Sequence, residues 1–362
     1  MVKKHTRKWE RLKLWTCAGL DMPVIAPEVL RLLTEIIPAD AALLYLDATD
    51  ANTPPFFYHT DSPDAVRALF ANEPQLFRGA HDYNVGHVMH ATGWAKAGNF
   101  LTIPRAYFAS NTYQLLVRAS GHHHTLDVRL EVGGKPVGAL MLFRASGLAF
   151  DADDVENIMR AARYVEHGLS HSAQTQGDVW TQRDAMIVAS EDGRLLHLST
   201  QAADLLKQIS LMGSVMTSSQ HLPPVMQTLV RQLRVSPVQS GALPERRIPV
   251  YGGYLHLRAY WLNAVDAQAT QRMVGFSINK IYPKQVAIMS VLCDADLTPR
   301  EVSMAQLLMQ HYAGSEIRAQ LGVSEAVYRD CVRAIYTKLG INNQRDLHGR
   351  VGGLVEARIM AH

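Results

Sequence analysis

Three sets of side chains in this sequence have types and spacings that can do chemistry. Histidines recur at His81, His87 and His90, with Asp82 among them, and again at His122, His123 and His124 ahead of an alternating run. Two histidines three positions apart on a helix can share a metal ion. The spacing matches no zinc or haem pattern, however, so surface or core histidines are expected, with no metal and no cofactor assigned. Aromatics make the second set. Trp94, Phe100, Tyr107, Phe108 and Tyr113 lie in an aperiodic stretch, where they can wall a small apolar ligand or simply fill a core under a lid. The third set is polar and near the C-terminus: Ser324, Glu325, Arg329, Asp330, Arg333 and Lys338. A carboxylate such as Asp330 can accept from a cytosine amine but repels phosphate.

None of these sets supports catalysis. The sequence has no Gly-x-Ser-x-Gly elbow, no phosphate-cradling Gly-Lys-Ser loop and no His-Glu-x-x-His pair. Gly133-Gly134-Lys135 sits in a hairpin turn, a poor place for a phosphate. No enzyme is expected. Cys17, Cys293 and Cys331 are scattered, with no paired spacing for zinc or a disulfide framework.

The elements that must position the third set are sharply punctuated. Leu297 and Val302 flank Thr298, Pro299 and Glu301 as the halves of a hydrophobic staple, so one helix start is specified by staple, N-cap, first-turn proline and capping-box glutamate. Glu316 to Leu321 predicts a short helix, Gly322-Val323 a turn, and Ser324 the cap of a longer helix that Gly340 ends. On that helix Tyr328, Val332, Ile335 and Leu339 share one apolar face. Two short helices joined by a tight turn, the second basic outside, form the helix-turn-helix pattern.

With those residues in view, the segment from Leu297 to Leu347 resembles the DNA-binding domain of LuxR-type (NarL-like) transcriptional regulators. The matches are Leu297-Thr298-Pro299-Arg300-Glu301, Leu307-Leu308, Glu316-Ile317, Leu321, Val323-Ser324-Glu325, Arg329, Ile335 through Gly340, and Leu347. The resemblance implies double-stranded DNA as partner, a homodimer, and DNA contact from Ser324, Glu325, Arg329, Asp330, Arg333 and Lys338. The sequence departs from the family at Ala313, where a Ser or Thr cap is usual, at Arg318, where a small residue is usual, and at Val327-Tyr328, Asp330 and Cys331. Those departures keep open a regulator that acts by protein contact through a degenerate DNA-binding domain and ligand-free scaffold domains.

The rest of the chain reads as two α+β units with antiparallel sheets, followed by the all-α helix-turn-helix domain. In residues 1–172, Pro27 to Ile37 reads as a helix and Ala41 to Leu46 as a strand. Thr125 to Val132 and Val137 to Arg144 make a hairpin about Gly133-Gly134, and Asp151 to Gly168 a closing helix. Gly138 to Phe143 is the strand on which this unit resembles a GAF-like sensory domain. Residues 173–282 open with strand, Asp192-Gly193 turn, strand and the Leu205-Leu206 helix, which resembles the start of a PAS-like domain. Residues 283–362 hold a connector helix and the DNA-binding domain. Residues 1 to 20 carry Lys3, Lys4, Arg7, Lys8, Arg11 and Lys13 between Trp9, Leu12, Trp15 and Ala18, an amphipathic pattern that suits packing on the sensor or on a second subunit, or contact with a membrane or DNA.

The 362 residues suffice for two to three domains. A net charge of +3 does not by itself argue for nucleic acid, and the stretch from Leu297 to His348 has only one basic residue in excess. The sequence holds no transmembrane run and no signal-peptide pattern at its start, which predicts a cytoplasmic protein without membrane contact. The expectation is a transcriptional regulator whose sensory domains bind a small ligand or partner and control a dimeric helix-turn-helix.

Overall fold

The computed structural model describes residues 2–48, 54–171, 179–206, 208, 221–235, 243–263 and 272–360. The polar composition of His171 to Gln182 suggests a linker; residues 172–178 of it fall outside the described ones, and 179–182 open a strand instead. The chain forms two compact units: residues 15–174 with 181–281, and residues 1–14 with 175–180 and 282–362.

The first of these units contains both sheets. Helix α1 (Val2–Thr16) leads into it, and α2 (Met22–Ile36) follows. Strands β1 (Ala41–Leu46), β2 (Phe56–His59), β3 (His124–Val132) and β4 (Lys135–Arg144) make a four-stranded antiparallel sheet in the order β2-β1-β4-β3. Side chains alternate across such a sheet, so its strands serve two cores. Leu44, Leu140 and Leu142 are buried on the side of α2 and α5 (Ala152–Ser170). Ala41, Leu43, Ala139, Met141 and Phe143 face the other way and join Val88, Met89, Phe100, Tyr107, Tyr113 and Val117. Those partners come from the aperiodic stretch, which holds α3 (Asp64–Asn72), α4 (Val85–His90), short 3₁₀ turns and one wider π-helical turn (Thr112–Val117).

Strands β5 (Val179–Ser190), β6 (Leu195–Leu198), β7 (Glu245–Val250), β8 (Gly253–Leu262) and β9 (Met273–Pro283) make the second sheet, in the order β6-β5-β9-β8-β7. The pairs β5–β6, β7–β8 and β8–β9 run antiparallel. Ile187, Leu255, Leu257, Val274, Phe276 and Ile278 bury one face with α6 (Thr200–Leu206) and α7 (Pro224–Val235). Toward the first sheet domain, the Tyr254 hydroxyl donates to Asp21 at 2.6 Å and the Gly252 N–H to the Val24 carbonyl at 3.1 Å. This part of the chain therefore consists of two α+β domains with antiparallel sheets.

The C-terminal part of the other unit is all helical: α8 (Lys284–Asp294), α9 (Pro299–Met309), α10 (Gly314–Leu321), α11 (Glu325–Leu339) and α12 (Gln344–Met360). Leu297, Val302, Met304, Ile317, Ile335, Leu347 and Val351 are buried in it. Residues 2–14 group with these helices. Arg7 Nη2 donates to the carbonyls of Asp296 at 2.6 Å and Leu297 at 3.1 Å, and Arg11 Nη2 to that of Cys293 at 2.8 Å. The basic face of α1 is thus at least partly occupied by the end of α8 and the loop ahead of α9, a use that amphipathicity alone does not reveal. Among the described residues no helix is long and apolar enough to cross a membrane.

Candidate functional sites

The helix pair at the C-terminus is built from its caps. Thr298 and Glu301 exchange hydrogen bonds at the start of α9, the Thr298 N–H donating to Glu301 Oε2 at 2.6 Å. Lys338 reaches from α11 to the same carboxylate at 2.7 Å. Burial alone would raise the Glu301 carboxyl, but Lys338 and Thr298 outweigh it and hold the group below its usual range. At α10, Ala313 has no side-chain acceptor, yet half of the reciprocal pair survives: its N–H donates to Glu316 Oε2 at 2.7 Å. Gly322 at φ 62° turns the chain, Ser324 caps α11 by accepting from the Val327 N–H at 3.4 Å, and Gly340 at φ 65° ends it. A Cβ on Gly314 would come within 3.1 Å of the Tyr328 hydroxyl, so glycine here lets α10 and α11 approach closely.

The six polar residues singled out from the sequence are not equivalent in space. Lys338 is committed to Glu301. Ser324 is committed to its cap. Arg329, Asp330 and Arg333 are on the exposed side of α11, with side chains 71%, 76% and 81% exposed. Glu325 sits between two arginines, 2.9 Å from Arg329 Nε and 2.6 Å from Arg318 Nη1, and Asp330 lies 3.8 Å from Arg333. Arg318, the odd residue of α10, thereby finds its anion across the turn. Ile335 and Leu339 are buried, whereas Tyr328 and Val332, expected on the same apolar face, are half-buried and line an open groove with Arg329, Arg333 and Tyr336.

A second site lies under the aperiodic stretch of the first sheet domain. Two buried carboxylates hold that stretch in place. Asp127 on β3 accepts from Asn99 Nδ2 at 2.7 Å and from the Phe100 N–H at 3.1 Å, and Asp82 accepts from the N–H groups of Thr112 at 2.7 Å and Gly79 at 3.0 Å. Burial raises the Asp127 carboxyl, partly offset by those donors. Between this clamped wall and the sheet is a cavity of about 80 Å³. Rings from Phe57, Phe70, Phe100 and Phe143 line it, with the imidazoles of His59 and His122 beside them. His59, His122 and Phe143 form a stacked group, with centroids 5.0 to 6.0 Å apart. Burial, then each other's proximity and Arg67, lowers His59 to about 3; burial also lowers His122, against an opposing hydrogen bond to the Asp61 backbone. Both imidazoles are therefore neutral at pH 7.

Of the five aromatics proposed as ligand walls, Phe100 and Tyr107 line the cavity. Trp94 packs edge-on against Phe100 and Tyr83, Phe108 is partly exposed against Tyr113, and the Tyr113 hydroxyl bonds His123 Nδ1. These three build the shell around the cavity wall. The sequence pattern passed over His59, Thr112, Phe143 and, as anything but a metal candidate, His122. Only the buried-strand phase of Phe143 could have pointed inward. Among the described residues no three His, Cys, Asp or Glu side chains converge as for a metal; His81 and His90 are exposed, and His87 accepts from the Asn84 N–H at 3.4 Å at the start of α4.

No protein-family model and no curated protein matches the chain. Among solved structures, the E. coli DhaR(N)–DhaL complex aligns at 15% identity over 76% of this chain and 88% of that one, with a TM-score of 0.24. The periplasmic sensory domain of the Campylobacter jejuni chemoreceptor Tlp1 aligns at 8% identity over 78% and 90%, with a TM-score of 0.15. Scores this low carry no argument about fold or function, and the reading rests on the residues themselves.

Proposed function

We propose that this chain is a DNA-binding transcriptional regulator of the LuxR type, in which GAF-like (1–172) and PAS-like (173–282) domains sense a small ligand or partner and control a dimeric helix-turn-helix in 283–362. The observation that carries the reading is the α10–α11 pair: a short helix, a left-handed glycine, and a Ser-capped second helix whose exposed side presents Arg329 and Arg333. Such a helix enters a major groove with its first turns nearest the bases, and a dimer sets two of them about 34 Å apart. Ligand acts by shifting the sensory dimer between arrangements that do and do not hold that spacing. The protein works in the cytoplasm, and no catalytic role is assigned to it.

The ion pairs of α11 favour a second reading. With Glu325 held between Arg318 and Arg329, and Asp330 beside Arg333, this face has little unpaired positive charge, and the adjoining groove offers Tyr328, Val332 and Tyr336 to a protein. Selection of genomic duplex fragments by the full-length protein at physiological salt separates the two. An enriched, roughly palindromic site supports the DNA-binding regulator; no enriched site overturns it and leaves the protein-contact regulator.

A further inference from the structure

Helices α1 and α11 lie at opposite ends of the sequence, yet a side chain from each ends on the same carbonyl oxygen. The Asp296 carbonyl accepts from Arg7 Nη2 at 2.6 Å and from Lys338 Nζ at 3.4 Å. Around it the charges balance: Arg7 also pairs with Asp296 Oδ1 at 2.9 Å, and Lys338 with Glu301 Oε2 at 2.7 Å. That glutamate is the one that closes the start of α9 by accepting from the Thr298 N–H. Every member of the group belongs to the unit that holds residues 1–14 and 282–362.

The end of α8 explains why this joint needs outside support. The last carbonyls of a helix have no partners within it, and a glycine in the left-handed region commonly follows to turn the chain. Here Asp296 takes that conformation, at φ 60°, two residues beyond α8, which costs a residue with a Cβ more than it costs glycine. Two arginines one helical turn apart on α1 cover the joint. Arg11 Nη2 donates to the Cys293 carbonyl at 2.8 Å, and Arg7 Nη2 to those of Asp296 and, at 3.1 Å, Leu297. Cations at this place also suit the negative end of the α8 dipole. Trp9 and Leu12 on the same helix are buried, so charge is not all that seats α1.

Lys338 is in the last turn of α11, one residue before the helix ends at Leu339. The first turn of that helix is fixed by the Ser324 cap, and Arg329 and Arg333 lie between the two fixed points. A shift of the Asp296 carbonyl therefore moves the anchored end of α11 and carries both arginines with it. We propose that Arg7 is a positioning residue for DNA binding: it fixes the Asp296 carbonyl on which Lys338 anchors the C-terminal end of α11. The proposal rests on the reading of α11 as the helix that meets DNA. It gives the basic face of α1 a use other than contact with a membrane, with DNA or with a second subunit.

A double-mutant cycle in the full-length protein tests it, read out as affinity for a duplex selected by the protein. Arg7→Gln weakens binding at least about fivefold with the salt slope unchanged, because Arg7 neutralises no phosphate. In the Lys338→Gln background the same substitution changes affinity by less than about twofold, since the residue it acts through is gone. No loss from Arg7→Gln, equal losses in both backgrounds, or a salt slope lowered by about 1, the mark of direct phosphate contact, each overturns the proposal. Amide hydrogen exchange of the DNA-free protein is the second readout. Arg7→Gln speeds exchange in the last turn of α11 at least about fivefold, and no longer does so once Lys338 is replaced, while unchanged exchange in α5 reports that the chain is folded. Exchange in that turn indifferent to Arg7→Gln overturns the proposal whether or not a DNA site is found. Faster exchange in a protein that enriches no DNA site keeps the anchor on α11 and removes the DNA-binding reading, with the role built on it.

Discussion

The cavity of the first sheet domain and the exposed side of α11 are opposites. Among the residues that line the cavity, Tyr107, Thr112 and His122 are buried, each with a polar atom that has no hydrogen-bond partner among the described residues. On α11, Arg329, Arg333, Glu325 and Asp330 are exposed and satisfy one another. Burial makes the first arrangement informative, because an unmade hydrogen bond inside a protein is costly, whereas an exposed ion pair contributes little and is easily exchanged for another partner. The buried group is therefore read from what is missing, and the proposed DNA face from which charges can be released.

The contrast can be broken in steps. Asp127→Ala removes the acceptor of Asn99 Nδ2 and the Phe100 N–H, and should cost about 3 kcal/mol in urea unfolding and abolish the cavity. A loss under about 1 kcal/mol would mean the aperiodic wall is held some other way. The imidazole group gives the next effect. His59 is lowered to about 3 in the fold, against 6.5 as its ordinary value, so the unfolded chain binds its proton first as pH falls. Its contribution is whole above pH 6.5 and drains away toward pH 3, with about 2 kcal/mol gone by about pH 5. His59→Asn, which keeps an acceptor for the Asp61 N–H, should flatten that acid limb even though His122 and Arg67 remain; an unchanged slope would place the burden on other groups.

Tyr107→Phe should raise the stability of the ligand-free protein by about 1 kcal/mol, since it deletes an unpartnered buried hydroxyl and keeps the ring. Destabilisation would show that the hydroxyl is satisfied after all. Smallest is Glu325→Gln on the other side of the comparison: stability should stay within about 0.5 kcal/mol, because the pairs it breaks are solvent-screened, while DNA affinity rises as Arg318 and Arg329 are released. Reduced affinity would make Glu325 a reader of the site rather than a brake.

Local punctuation was legible in the sequence and long-range pairing was not. The start of α9, the turn at Gly322, the cap at Ser324 and the stop at Gly340 each depend on residues within four positions, and all were readable. The sequence places the start of α2 at Pro27, but the helix begins at Met22 with an earlier proline in its first turn and tolerates Pro27 inside. The cavity could not be read, because its wall is set by carboxylates pairing with groups 27 and 30 residues away, through a stretch with no period to follow. The same holds for Arg318, whose partner Glu325 is across a turn, for Arg7, which meets the loop ahead of α9 some 290 residues on, and for Arg11, which meets the last turn of α8 282 residues on.

The most direct test is the salt dependence of binding to a duplex selected by the protein, measured for the native chain and for Arg329→Gln with Arg333→Gln. Two phosphate-neutralising arginines per protomer predict that the double variant binds more weakly and that its log-affinity falls less steeply with log salt, by about 2 per protomer. An affinity and a slope unchanged by the double substitution would contradict the assignment of α11 as the helix that meets DNA.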